Sequence, residues 1–177
     1  RYNTMTLKET ANYISGFTDG EGCFCVSFSY RPKNIKVGWE VKPSFAVGQN
    51  YDRAETLGLM KSYFKCGFMR RDYADKTLKF EVRSIDDLLD NIIPHFKKYP
   101  LYSAKQKDFV LFEKICRKIK NYEHLEPNGI KEIVELAYQM NGSGKRKHPK
   151  EYVIAKITSD EDIVCAPLKI GELNTKF

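Results

Sequence analysis

The segment Ile14-Ser15-Gly16-Phe17-Thr18-Asp19-Gly20-Glu21-Gly22 constrains this chain more than any other. Thr6-Leu7-Lys8-Glu9 reads as a capping box that opens a helix, with Ala11, Ile14 and Phe17 as its apolar positions. Gly16 and Gly20 lie four apart, on one face of that helix. A glycine inside a helix costs about 1 kcal/mol relative to alanine, so two at this spacing point to a second backbone packed closely against the face. The helix runs into Asp19 and Glu21 in a Gly-rich terminus. Neighbouring carboxylate oxygens suit a hard cation such as Mg2+, and Gly22 has a carbonyl to add. By spacing alone, the same residues also make a surface turn with an Asx-type cap.

Beyond Gly22 the period switches from helical to alternating. Phe24, Val26, Phe28 and Tyr30 share one face of a strand; Cys23, Cys25, Ser27 and Ser29 share the other. Arg31 to Gly38 is a basic loop. A second strand puts Trp39, Val41, Phe45 and Val47 inward, and Pro43 within it predicts an edge or a bulge. A helix follows from Asp52 to Phe64, presenting Leu57, Met60 and Phe64. A hairpin then spans Phe68 to Arg83, with its turn at Ala74-Asp75-Lys76 and with Leu78, Phe80 and Val82 inward. Ser84 and Asp87 cap a further helix that Pro94 bends or ends. Ser103 starts a long helix with Phe109, Phe112, Ile115 and Ile119 as its stripe, and another helix runs from Ile130 to Met140. Asn141-Gly142-Ser143-Gly144 is a linker signal, Lys145-Arg146-Lys147-His148-Pro149-Lys150 is a basic run, and the remaining tail has no clear pattern. Paired strands beside helices predict an α+β fold with an antiparallel sheet. The helix-plus-acid motif occurs once.

Charge narrows the partner. The chain has 30 Lys+Arg against 23 Asp+Glu, net +7. Arg31 to Arg83 holds 12 of those bases and 6 of the acids, so this stretch supplies +6 of the total. A positive surface on one hairpin pair suits a polyanion. The five cysteines, Cys23, Cys25, Cys66, Cys116 and Cys165, form no CxxC pair, which favours reduced thiols over a zinc site or a disulfide framework. That implies a reducing compartment; which one the sequence leaves open, an organelle such as a chloroplast or mitochondrion and a prokaryotic cytoplasm both fitting. No apolar run approaches the ~20 residues of a membrane span, and nothing points to a small-molecule substrate. The sequence opens on Arg1 rather than a methionine, the pattern of a trimmed chain, so a transit segment stays open.

The nine residues from Ile14 to Gly22 resemble the LAGLIDADG motif. The order of motif helix, long hairpin, helix, second hairpin and further helices is also similar to that of LAGLIDADG homing endonucleases of the single-motif, homodimeric type, over residues 7–141. The resemblance implies an αββαββα core with a four-stranded antiparallel DNA-binding saddle sheet, an endonuclease domain at 1–141, and a basic linker and C-terminal helix and tail at 142–177 that pack on or extend the same domain. It implies that Glu21 is the metal ligand, with Gly22 offering its carbonyl, for Mg2+ or Mn2+, with Ca2+ supporting binding without turnover. Asp19 would steady the junction between paired helices, Gln49 would orient water, and Arg53 and Lys105 would add positive charge at the scissile phosphates. A homodimer would form through Tyr13, Gly16, Phe17 and Gly20. Strand parity then selects the residues facing double-stranded DNA: Cys25, Ser27, Ser29 and Arg31; Glu40, Lys42, Ser44 and Ala46; Phe68, Arg70 and Asp72; Lys79, Glu81 and Arg83. Lys33 and Lys36 sit in the first hairpin loop, near backbone or outer bases. The activity implied is a double-strand break with short 3′ overhangs in a long, partially palindromic target, promoting intron mobility.

Other readings compete. Glu40-Val41-Lys42 imitates the ExK of another nuclease class, but on an outward strand face without a preceding acidic strand end. His95, His124 and His148 are too scattered for an HNH site. An RNA maturase, or a DNA-binding regulator without cleavage, would use the same fold; the presence of Glu21, Gln49, Arg53 and Lys105 favours a nuclease.

Overall fold

The first helix, α1 (Leu7–Glu21), is opened by the expected capping box: Thr6 Oγ1 accepts from the Glu9 N–H at 3.3 Å, and the Glu9 carboxylate accepts from the Thr6 N–H at 2.7 Å. The computed structural model describes residues 5–74, 76–142 and 144–157. Ala11, Ile14, Ser15 and Thr18 turn inward, which leaves Gly16 and Gly20 exposed. The chain passes directly into β1 (Gly22–Tyr30) and returns as β2 (Trp39–Asn50). After a 3-10 turn at Tyr51–Arg53 comes α2 (Glu55–Phe64), then the hairpin β3 (Phe68–Asp72) and β4 (Thr77–Val82). The strands form one antiparallel sheet in the order β1-β2-β4-β3.

Parity decides the two faces as expected. Phe24, Val26, Phe45, Val47, Phe80 and Val82 are buried on one side. Helices cover them with Leu57, Met60 and Phe64 of α2, and with Phe109, Phe112 and Ile115 of α5 (Lys105–Lys120). Phe24 is the centre of this core: its ring lies 5.3 Å from Phe45 and Phe112 and 5.4 Å from Phe96 and Phe109. Tilted and edge-on ring pairs at such distances each add about 0.5–1.5 kcal/mol beyond area burial.

Several expectations are corrected. Pro43 lies in a central strand, yet β4 pairs with β2 only from Phe45 onward, so Pro43 sits where β2 has β1 as its one partner and costs no ladder bond on the open side. Pro94 does not end its helix. α3 (Ile85–Asp87), capped by Ser84 Oγ, runs through a π turn at Leu88–Ile92 into α4 (Ile93–Lys98). The wider turn absorbs the missing proline N–H and its clash with the preceding carbonyl. The helix expected from Asp52 starts at Glu55 because a 3-10 turn precedes it, and the one expected over Ile130 to Met140 is α6 (Pro127–Ala137), with proline favoured in the first turn. Asn141, where the basic linker segment begins, donates to the Phe24 carbonyl at 2.8 Å, and α7 (Lys150–Ala155) buries Val153 against the core. Asp75 of the hairpin turn, Ser143, and the tail from 158, including Cys165, lie outside the described residues.

His95 stitches α4 to α1 and α2. Ser15 Oγ donates to the Tyr99 carbonyl at 2.7 Å, so it accepts from His95 Nε2 at 3.1 Å, and His95 Nδ1 accepts from the Tyr63 hydroxyl at 3.1 Å. This satisfies a neutral imidazole on both nitrogens. Burial lowers its pKa from 6.5 to about 4. A histidine held neutral by the fold gives stability that is complete above about pH 6.5 and is lost as pH falls towards about 4, a loss on the order of 3 kcal/mol at 1.36 kcal/mol per unit. Urea unfolding over that range checks it. His95→Gln should remove this component of the pH slope, and a variant with the wild-type slope would refute the assignment.

Candidate active site and nucleic-acid interface

The end of α1 is where chemistry-bearing side chains converge. Within its own chain Asp19 accepts from the N–H groups of Tyr102 (2.9 Å) and Ser103 (3.0 Å) and from Ser103 Oγ (2.5 Å), capping the approach to α5. Burial alone would raise its carboxyl pKa. The hydrogen bonds from Ser103 and Tyr102, and the charge of Lys105, outweigh that and hold it below the ordinary value. Both Asp19 oxygens are therefore spent on positioning. Lys105, in the first turn of α5, points back at the same helix end and donates from Nζ to the carbonyls of Thr18 (2.9 Å) and Asp19 (2.8 Å). Such carbonyls carry the negative end of the helix dipole and suit a cation.

Glu21 is the acid left free. It is exposed at the last position of α1 and has no hydrogen bond or ion pair among the described residues. Gly22 starts β1 one residue later, in close contact with α1: a Cβ there would meet Thr18 Cγ2 at 2.5 Å and the Thr18 carbonyl oxygen at 2.8 Å. Glycine at this place lets a strand leave the helix without a loop, and so keeps Glu21 against the sheet. Gln49 reaches the same region by register. Gly22 pairs with Val47, so Gln49 extends β2 past the first residue of β1, alongside the end of α1. Arg53 sits on the exposed 3-10 turn beyond it, without a hydrogen bond or ion pair among the described residues. At this end of α1, Glu21 is the one free carboxylate among the described residues. Among the described residues no group of three or more His, Cys, Asp or Glu side chains could hold a metal ion. That donor set fits Mg2+, which typically takes one or two carboxylates and completes its shell with phosphate and water oxygens.

The outward sheet face carries the expected residues in rows. Across the ladders Ser29 faces Glu40, Ser27 faces Lys42 and Cys25 faces Ser44; Ala46 faces Glu81, which faces Phe68, and Lys79 faces Arg70. The acids here do not stand free. Glu40 binds Arg31 (2.7 Å) and Lys42 (3.0 Å), which also leaves it no metal partner for the competing ExK reading. Glu81 is only 6% exposed, under Arg83 (2.8 Å) and Arg70 (3.5 Å), and Arg83 lies over the Phe68 ring at 5.4 Å. Asp72 accepts from the Ala74 N–H at 3.2 Å and so shapes the hairpin turn. Three of the expected DNA-facing residues thus orient bases or backbone instead of presenting a free carboxylate. Lys33 and Lys36 are exposed in the loop between β1 and β2.

Sequence reading missed a second basic wall. A cleft of about 1000 Å³ runs between the outward side of β1, the start of α5 and residues 144–148, with Lys105, Lys107, Lys145 and Lys147 in its lining. The basic run was visible, but not its division of labour. Arg146 turns inward, donating to the carbonyls of Val26 and Met140 at 3.3 Å each and to that of Ala137, and stacks on Tyr138 at 4.5 Å. Lys150 pairs with Glu135 at 3.0 Å. Lys107, Lys145 and Lys147 have no ion-pair partner among the described residues. On the same side, the Cys23 and Cys25 sulfurs lie 3.5 Å apart.

The LAGLIDADG endonuclease family profile matches residues 14–116. A probable intron-encoded endonuclease 2 of Neurospora crassa is 34% identical over 131 residues, covering 73% of this chain and 29% of that relative, so the chain spans under a third of its length. Among solved structures, the I-LtrWI LAGLIDADG homing endonuclease bound to target DNA superposes with a TM-score of 0.79 at 31% identity, over 97% of this chain and 55% of that one. The homing endonuclease I-TnaI gives 0.72 at 30% identity, over 86% of this chain and 97% of its own. I-SmaMI bound to an uncleaved DNA target in the presence of calcium ions gives 0.73 at 28% identity, over 80% of this chain and 47% of that one. The fold is the one these proteins share. The profile match covers more than half of the chain, along the very segment that builds the end of α1 and the sheet, and the chain belongs to the LAGLIDADG endonuclease family.

Proposed function

We propose that this protein is an intron-encoded homing endonuclease that cuts both strands of a long, partially palindromic DNA target, leaving short 3′ overhangs. The observation that carries this reading is Glu21: a free carboxylate at the end of a helix whose two exposed glycines invite a second helix, beside a basic four-stranded face. Two such helices packed together bring two Glu21 carboxylates to one axis, and the set becomes adequate for Mg2+ or Mn2+. Calcium in the I-SmaMI structure supports a divalent ion, with Ca2+ permitting binding without turnover. A divalent cation supplies water activation and neutralises charge on the phosphate under attack.

The chain's own residues set the stage for that chemistry. Lys105 is fixed by the terminal carbonyls of α1 and holds positive charge beside Glu21. Asp19 fixes the start of α5, and therefore Lys105. Gln49 offers an amide to orient water, and Arg53 a guanidinium for phosphate oxygens. Arg31, Lys42, Arg70, Lys79 and Arg83 read base edges or phosphates from the sheet, and Lys145 and Lys147 add backbone contacts from the second wall. The fungal, intron-encoded relative favours an organelle.

The partner helix is a second copy of this chain. Coverage of about half of I-LtrWI favours one other source, a second motif in a longer polypeptide, and both complete the site alike. The test is cleavage of a library of long duplexes with Mg2+, with binding followed from about 50 to about 200 mM salt. Several phosphate contacts predict a loss of about 10³-fold or more across that range. Cutting at one recurring site is expected. A salt-insensitive affinity, or an intact library, would overturn the reading.

A further inference from the structure

Two thiols face one another on the outward side of the sheet. Cys23 and Cys25 are two residues apart on β1, so both project to the same face, and their sulfurs are 3.5 Å apart. Cys25 is exposed and Cys23 half-buried, and both border the basic cleft. Residues two apart in a strand have Cα atoms about 6.6 Å apart, near the upper end of the ~4.4–6.8 Å span that disulfides bridge. A bond between them is therefore within reach, but closing it puckers the strand. β1 is an edge strand held on one side only, by β2, so the pucker is resisted from one side alone. Cys116 is fully buried in the core, and burial pushes the Cys66 thiol up to about 11, so neither competes for an oxidant.

We propose that Cys23 and Cys25 form a peroxide-reactive dithiol, and that its closure to a disulfide loosens the grip of this face on DNA. The exposed Cys25 thiol gives up its proton and its sulfur attacks one oxygen of hydrogen peroxide. The O–O bond breaks, water leaves and Cys25 becomes a sulfenic acid. The Cys23 sulfur then attacks the Cys25 sulfur; the S–O bond breaks, and a second water leaves with the Cys23 proton. The two thiols lose two electrons and the peroxide gains them. A thiol reductant reverses the bond.

The structural consequence follows from what the pair touches. Cys23 faces Ala46 and Cys25 faces Ser44 across the ladder, so drawing their Cα atoms together tilts this end of β1 out of the outward face. The Cys23 sulfur also loses its 3.9 Å contact with the Asn141 side chain. Asn141 is the residue that ties the start of the basic wall to β1 through the Phe24 carbonyl. The effect on DNA rests on the function proposed above; the dithiol itself does not.

The experiment uses the full chain, fully reduced and then treated with hydrogen peroxide. Alkylation and peptide mass mapping should show Cys23 and Cys25 joined within one peptide and protected from alkylation, with both freed again by dithiothreitol. Affinity for a mixed-sequence duplex should fall about tenfold on oxidation and recover on reduction. Cys23→Ser should bind as the reduced wild type does and form no such bond; peroxide should take its Cys25 only to a sulfenic acid, trapped by dimedone, without the tenfold loss of affinity. Both cysteines still open to alkylation after peroxide would overturn the dithiol. A bond without a change in affinity, or a Cys23→Ser protein that still loses affinity with peroxide, would overturn its control of DNA. Failure of the reduced protein to bind any duplex would overturn the reading of the sheet and the DNA half of this inference, while mass mapping decides the dithiol alone.

Discussion

Glu21→Gln is expected to stop strand cutting and to leave DNA binding in place. The substitution keeps the size of the side chain and removes its charge. Glu21 is exposed and makes no hydrogen bond or ion pair among the described residues, so folding does not depend on it, and the melting curve should shift only as at other surface sites, within about 0.5 kcal/mol. A hard cation loses one anionic ligand from each contributing half. Metal-ion stabilisation of a transition state is worth several kcal/mol, so the cleavage rate in Mg2+ should fall by about a thousandfold or more. Affinity measured by gel shift in Ca2+ should hold or rise slightly, because a negative charge near phosphate has gone. Full cleavage by the variant would refute the metal assignment. Loss of binding with a lowered melting temperature would refute the claim that Glu21 is free of any folding role.

Gly16→Leu is expected to separate the two halves without unfolding either. A Cβ added at Gly16 or Gly20 meets nothing within 4 Å in the single chain, so the fold tolerates a side chain there. The same face carries Tyr13, 43% exposed, which stacks on Phe17 at 6.0 Å. An apolar, glycine-notched helix face is what close helix packing needs, and a leucine in the notch holds the partner backbone away. Sedimentation at low micromolar concentration should then give a monomer with an unchanged circular dichroism spectrum, and cleavage should vanish because each Glu21 stands alone. A variant that remains dimeric and cuts would sink the interface. A wild-type chain that sediments as a monomer would instead point to a second motif in a longer polypeptide.

Oxidation of Cys23 and Cys25, the acid sensitivity set by His95, and the salt response of the sheet test regions apart from the helix interface. Together with the two substitutions above they address five claims: metal ligation, subunit contact, DNA reading, the dithiol and the neutral histidine of the core.

What the sequence determined by itself is local. The alternation from Cys23 to Tyr30 and from Trp39 to Val47 sorts core from outward face because side chains of a strand have period two. The Thr6 capping box, the Ser84 cap and the glycine spacing of α1 rest on neighbours within four residues. The place of Glu21 at the end of α1 was legible for the same reason; its role as a metal ligand is what the family resemblance implied. Other features belong to the tertiary structure. Nothing local to Asp19 announces that packing brings Ser103, 84 residues away, onto its carboxylate, and brings Lys105 onto the carbonyls of the same helix end. Glu81 alternates outward as read, but two arginines from β3 and the end of β4 close over it. Arg146 looked like one charge in a basic run until the fold set it among the carbonyls of Val26, Ala137 and Met140. Period and capping are set by backbone geometry over a few residues, and so are written in order along the chain. Which long side chain meets which carbonyl depends on how helices dock on the sheet, and that is decided only when the core closes.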